Sequence, residues 1–318
     1  MALEAAPIYT DCTDVSPAPL VGSAYWIDAS DGVRLRVGVY NPDAANGTVL
    51  LFPGRTEYVE KYGPAAGDLA QRGYATIVID WRGQGLADRI LDDVRVGHVD
   101  IFDDYQKDVV AMVAAAEELG LPKPFYLLGH SMGGCIGLRS LHEGLDVAAV
   151  AFTGPMWGIR IAPYLRPMAW ALGYMMPALG QGHRLPPGSA IDPYVLTAPF
   201  EGNQLTTDFE MFDMMRLQLL AHPELALGGP SFVWLREALD EMLSLSRMPS
   251  PDVACDVFLG SNERIVHPGR IESRMEGWAR GHLYLMQGCE HEVLMEDAAT
   301  RASIFDTISN GFAKAAEL

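Results

Sequence analysis

Six short segments constrain the fold more than anything else in this chain. They are TVLLF (48–52), ATIVID (75–80), FYLLG (125–129), VAAVAF (147–152), DVFLG (256–260) and LYLM (283–286). Each is brief and almost wholly apolar, the pattern of a strand covered on both faces. The segments between them have helical spacing. Tyr105, Val109, Met112, Val113, Ala116 and Leu119 form one apolar stripe, and Gly120 stops it. Such alternation predicts an α/β fold with a mostly parallel central sheet flanked by helices. VRLRVGVY (33–40) alternates instead, and it follows the turn signal Asp28-Ala29-Ser30-Asp31-Gly32. It reads as the second strand of a hairpin.

The alternation breaks between 154 and 250. This stretch is helical in pattern and punctuated by proline, and it holds nine of the chain's 15 methionines. It predicts a helical insertion that divides the core, giving 1–153 as the first part, 154–250 as the insertion and 251–318 as the second part. Its methionines are expected to pack mainly as helical core, although thioether side chains also suit a pocket for flexible apolar chains.

The net charge of −18 argues against a nucleic-acid partner, because a phosphate backbone would be repelled. It also disfavours stable docking on anionic membranes and makes anionic headgroups less attractive. The first residues, MALEAAPIYTDCTD, lack the basic flank and apolar run of a signal peptide. No stretch has the roughly 18 uninterrupted apolar residues of a membrane span. Cys12, Cys135, Cys255 and Cys289 are scattered without metal spacing and are expected to be buried free thiols. A cytoplasmic setting follows as an expectation, with no metal or cofactor.

One corner carries the chemistry. FYLL runs into Gly129-His130-Ser131-Met132-Gly133, followed by the small-residue run GCIGL. A strand that turns sharply into a helix strains its corner residue and leaves no room for side chains two before and two after it, hence the glycines. The corner hydroxyl then sits at a helix N-terminus, where partial positive charge and free N–H groups favour a developing oxyanion. The plain alternative is a tight turn with an incidental serine.

A serine hydroxyl needs a base, and the base needs an orienting carboxylate. For an elbow of this kind the chain order is Ser, acid, His. His98 and His130 precede or abut the serine, His142 lies about three turns along the following helix, and His183 and His222 fall in the insertion. His267 adjoins Pro268, and His282 opens a strand. His291 follows the last apolar segment, at a strand's carboxyl end, where ligand-facing residues of such sheets belong. It is the expected base; otherwise it is an exposed loop histidine between two glutamates. The acid should follow DVFLG, which points to Glu263, 28 residues before His291. Otherwise Glu263 is a surface residue paired with Arg264. Asp256 begins that strand, at the far end of the sheet. The two oxyanion N–H groups are expected from Met132 and from Arg55 in the turn Phe52-Pro53-Gly54-Arg55; otherwise the Arg55 guanidinium pairs with Glu57.

PGRTEYVEKY, IDWRGQGLADR, GHSMGG, GSNERIVHP and GCEHEVLME stand in this order along the chain. As a set they resemble the α/β-hydrolase superfamily, and more narrowly its branch of monoacylglycerol lipases and bacterial lysophospholipases, from about residue 25 to 315. The resemblance implies a serine hydrolase with a helical lid over an acyl-binding pocket. Asp80, Arg82 and Gly83 match a segment that shapes a structural turn in that branch. Two positions depart from its commonest pattern: Pro53 stands where many members have His, and Glu263 where many have Asp. The expected substrate is a small acyl ester, such as a monoacylglycerol, a lysophospholipid or a simple carboxylic ester, with at most transient membrane contact through the lid. A proline-releasing aminopeptidase is the alternative enzyme. It needs a lid carboxylate for the substrate amine, and Glu201, Asp208, Glu210 and Asp213 are available. A non-catalytic binding protein is the alternative of another class.

Overall fold

A computed structural model describes residues 3–10, 22–162 and 164–317. The strands are β1 (Glu4–Ala6), β2 (Ser23–Asp28), β3 (Arg34–Tyr40), β4 (Thr48–Phe52), β5 (Ala75–Asp80), β6 (Phe125–His130), β7 (Ala149–Thr153), β8 (Ala254–Gly260) and β9 (Gly281–Met286). They form one sheet in the order β1-β2-β3-β5-β4-β6-β7-β8-β9. From β5 to β9 every neighbouring pair is parallel, while β1, β2 and β3 pair antiparallel and β3 joins β5 antiparallel. This is the α/β-hydrolase architecture.

The helices are α1 (Gly63–Gln71), α2 (Asp104–Glu118), α3 (Met132–His142), α4 (Arg166–Ala178), α5 (Tyr194–Thr197), α6 (Phe209–Ala221), α7 (Phe232–Leu245), α8 (Pro268–Glu276) and α9 (Ala298–Ala316). Two apolar clusters occupy the two faces of the sheet. One joins Leu50, Leu127 and Phe152 to Met112 and Ala116 of α2 and Ile136 of α3. The other joins Val49, Leu128 and Ala151 to Leu69 of α1 and Phe305 and Ile308 of α9. Opposite faces of one strand thus feed opposite layers, which is why the central segments have no polar alternation.

All six apolar segments are strands. LYLM departs from full burial: β9 is an edge strand, with Leu285 54% exposed. The apolar stripe of α2 ends where expected, with Gly120 at φ +66°. β2 and β3 form the predicted hairpin. Cys135, Cys255 and Cys289 are buried free thiols, and Cys12 lies outside the described residues, as does much of the stretch MALEAAPIYTDCTD. Among the described residues no helix is long and apolar enough to cross a membrane.

Between β7 and β8 the described chain contains α4 to α7 and no strand. Its methionines divide. Met211, Met214 and Met215 of α6 are buried, whereas Met168 and Met175 of α4 are about half exposed, at 50% and 48%. The stretch is tied to the core at its start. Arg160 N–H donates to the Ile265 carbonyl (2.9 Å), and His267 N–H donates to the Gly158 carbonyl (2.8 Å).

Candidate active site

The corner at Ser131 has the backbone that the sequence implies. β6 ends at His130, α3 begins at Met132, and Ser131 lies between them at φ 48°, ψ −113°. A Cβ on Gly129 would come within 2.9 Å of the Gly133 carbonyl oxygen, and one on Gly133 would overlap the carbonyl oxygen of Phe52 at the end of β4. The second glycine therefore serves the neighbouring strand as much as the corner itself, since it lets α3 begin directly against the turn after β4.

Three side chains from three strand ends meet there. His291 Nε2 lies 3.0 Å from Ser131 Oγ, and His291 Nδ1 lies 2.6 Å from Glu263 Oε2. The other carboxylate oxygen, Oε1, accepts from the amides of Ile265 (2.7 Å) and Val266 (3.0 Å). Burial by itself would raise the Glu263 carboxyl. The hydrogen bond and charge of His291, with those two amides, outweigh it and hold the group below its ordinary value. An ionised Glu263 makes Nδ1 the protonated ring nitrogen, so the Nε2 lone pair faces the serine hydroxyl. Glu263 and His291 are 4% and 3% exposed, so neither is a surface group. Arg264 pairs with Glu290 instead (2.8 Å). The His291 loop is held by bonds from its own amide to the Gln204 carbonyl (3.3 Å) and from Glu292 N–H to the Leu205 carbonyl (2.8 Å).

Met132 is the first residue of α3, so its amide has no intrahelical acceptor. No acceptor for the Arg55 amide is found among the described residues. The turn that carries Arg55 is clamped from three sides. Trp81 Nε1–H donates to the Pro53 carbonyl (2.9 Å), Gln84 Nε2–H to the Gly54 carbonyl (3.0 Å), and Gly54 N–H to the Glu57 carboxylate. Asp80 anchors the next layer, accepting from Val59 N (2.8 Å), Leu86 N (2.8 Å) and Arg36 Nε (2.7 Å). Asp80 and Arg82 thus hold backbone and ion pairs rather than face the serine, with Arg82 spanning Asp31 and Asp108.

A buried charged group that the sequence does not announce lies beside this site. Lys61 Nζ lies 2.7 Å from both Glu57 and Glu292, and Tyr62 OH donates to Glu57 (2.5 Å). Burial by itself would raise the Glu57 carboxyl, but the Lys61 ammonium and these hydrogen bonds bring it down to about 2. The spacing of Glu57 and Lys61, four apart, was a legible hint; nothing local marked Glu292 as their partner. Glu57, His130 and Glu292 also lie close enough to hold an ion. The Lys61 ammonium, however, already supplies the positive charge between the two carboxylates. Lys61→Met removes that charge from two buried acids, and the expected cost is about 3–5 kcal/mol of stability, measurable by urea unfolding at pH 8.

His130 is buried against the same group. Its Nδ1 lies 3.0 Å from the Thr153 carbonyl and its Nε2 3.5 Å from Glu57. Burial pushes its imidazole down to about 3 despite the nearby Glu57 charge. Between about pH 6.5, the ordinary histidine value, and pH 3, the unfolded chain binds a proton here that the native chain does not. The His130 contribution is therefore complete above about pH 6.5 and is lost as pH falls towards 3. Its slope is at most about 1.4 kcal/mol per pH unit. In His130→Gln, the fall of Tm between pH 6.5 and 4.5 is expected to be shallower than in the parent.

A cavity of about 390 Å³ opens onto Ser131 and His291. Met156, Ile159, Met215, Leu219, Leu227 and Trp234 give it apolar walls, all six from the stretch between β7 and β8. None of the four insertion carboxylates lines it. Asp208 caps α6 by accepting from Met211 N–H (2.9 Å), Asp213 pairs with Arg216, and Glu201 and Glu210 are exposed.

Known proteins resemble the chain along most of its length. Lysophospholipase L2 of Escherichia coli (strain K12) is 28% identical over 298 residues, covering 89% of this chain and 85% of that protein. Probable lysophospholipase L2 of Haemophilus influenzae is 26% identical, covering 82% of each. A soluble variant of monoglyceride lipase from Saccharomyces cerevisiae has the same fold, with a TM-score of 0.70 at 19% identity over 98% of this chain and 99% of that one. The family model described as serine aminopeptidase, S33 matches residues 43–298. With four-fifths of its length inside that match and the α/β-hydrolase sheet beneath it, the chain belongs to the serine aminopeptidase S33 family.

Proposed function

We propose that this serine ester hydrolase cleaves esters of apolar acyl chains by two-step acyl transfer, with Ser131 as nucleophile, His291 as base and Glu263 as its orienting acid. His291 Nε2 takes the Ser131 proton as Oγ attacks the ester carbonyl. Glu263 holds the ring and stabilises its charged form. The N–H groups of Arg55 and Met132 receive the oxyanion. His291 then gives its proton to the departing alcohol, and water repeats the cycle on the acyl-enzyme. Residues 154–250 act as a lid between the core parts 1–153 and 251–318. The observation that carries this reading is the hydrogen-bonded line Glu263–His291–Ser131 at the mouth of an apolar cavity.

The lipid-ester names of the relatives agree with a long apolar chain in that cavity. The S33 description carries an aminopeptidase reading, which requires an acid free to hold an amine. Glu57 and Glu292, the acids that line the cavity beside Lys61, already share its ammonium. The test is a rate series on 4-nitrophenyl esters of increasing chain length beside prolyl anilides. Turnover is expected on the esters, rising with chain length until the cavity is filled. Cleavage of the anilides with inert esters would reverse the assignment. A fluorophosphonate probe should label the intact protein; no uptake would mean that no activated serine is present.

A further inference from the structure

Two cations line the cavity, and their surroundings differ. Lys61 is neutralised by Glu57 and Glu292. Arg55 is not: among the described residues it makes no ion pair. Its Nη1–H donates to the Gly228 carbonyl (2.8 Å), and its guanidinium lies 5.6 Å from the centre of the Trp234 ring. The expected alternative, pairing with Glu57, does not occur, because the Glu57 carboxylate is taken by Lys61, Tyr62 and the Gly54 amide. Arg55 Nε and Nη2 have no partner among the described residues, and they are not among the side-chain atoms sealed off without one. Burial pushes the guanidinium down to about 10. A carbonyl and a ring face offset only part of the cost of withdrawing such a charge from water. An anion entering the cavity would supply the rest.

We infer that Arg55 is the anion subsite of this cavity, and that its guanidinium binds the phosphate of a monoacyl glycerophospholipid and so selects phosphorylated substrates over neutral monoacylglycerols. This rests on the ester-hydrolase reading. The acyl chain carries no charge, so an anion near Ser131 belongs to the alcohol half of the ester. One residue serves both ends of that half. In the proposed mechanism the Arg55 amide receives the oxyanion, and an extended arginine side chain reaches about 6–7 Å from its backbone by ordinary bond lengths. That is the span from an ester carbonyl across a three-carbon glycerol to its phosphate. The planar fork of N–H groups matches two phosphate oxygens, which an ammonium would meet only as a point charge. The overall charge of −18 works against an anionic substrate at long range, but it is screened beyond about 8–10 Å. Direct contact with Arg55 is not.

The test compares kcat/KM for a short-chain 1-acylglycerol, its 3-phosphate and its 3-phosphocholine, all below micellar concentration, in the full chain and in Arg55→Gln and Arg55→Lys. Both variants keep the backbone amide, so any change in oxyanion support is common to the three substrates and cancels in their ratio. The phosphorylated-to-neutral ratio is expected to fall about 10-fold or more in Arg55→Gln and less in Arg55→Lys. If only the 3-phosphate responds, the subsite takes a phosphomonoester; if the 3-phosphocholine responds as well, it takes the phosphodiester of a headgroup. Glycerol 3-phosphate should compete with the neutral ester in the parent and do so at least about 10-fold more weakly in Arg55→Gln. An unchanged ratio, or equal loss on all three substrates, overturns the inference while leaving ester hydrolysis standing. Absence of turnover on every ester, with no labelling of Ser131, overturns the hydrolase reading instead. Calorimetric binding of glycerol 3-phosphate, lost in Arg55→Gln, reads the subsite without turnover.

Discussion

Ser131→Ala is expected to lower kcat for ester hydrolysis by about 10⁶-fold and to abolish labelling by a fluorophosphonate, with Tm nearly unchanged. The stability expectation follows from the corner itself. Serine and alanine face the same backbone strain at φ 48°, and the hydroxyl is half-buried and, among the described residues, bonded only to His291. The packing that forms the corner belongs to Gly129 and Gly133, which the substitution leaves in place. Any remaining rate comes from the oxyanion amides and from substrate binding, which do not need the hydroxyl. A variant that keeps even one-tenth of the parent rate would mean that another group attacks the ester.

Glu263→Gln is expected to lower kcat by about 10⁴-fold, for a reason set by the two amides behind it. Oε1 of Glu263 accepts from Ile265 and Val266. In the variant, the amide oxygen must take that place, because an NH₂ group there would face two donors and leave both buried N–H groups unsatisfied. The NH₂ therefore points at His291 Nδ1. That nitrogen must then accept, and its proton moves to Nε2, the atom that receives the serine proton in the mechanism proposed above. The shape of the site survives while the tautomer is wrong. KM and Tm should change little while kcat collapses. A loss in KM with kcat preserved would show that Glu263 shapes the pocket rather than orients the base.

Much of the architecture was legible because it depends on local pattern. The short apolar segments are strands since no other element buries both faces of so few residues. The elbow was legible because its requirement for small residues acts over five positions. Glu263 and His291 could be named because each lies just past a core strand at the carboxyl end of the sheet, so their order along the chain carried information about space. The half-exposed β9 was not legible, because an edge strand differs from a central one only in what lies beside it.

What the chain's order of residues determined was the sheet, the corner at Ser131 and the short list of groups that could serve it, since periodicity and turn sterics act between near neighbours. What only the tertiary structure decided was the pairing of buried charges. Lys61 sits between Glu57 and Glu292, residues separated by most of the chain, and Glu263 turns to His291 and not to the adjacent Arg264. Arg55 stands apart from Glu57, two positions away, because a stronger set of donors reached that carboxylate first. Ion pairing in a low-dielectric interior is settled by which groups are buried together, and distance along the sequence does not report that.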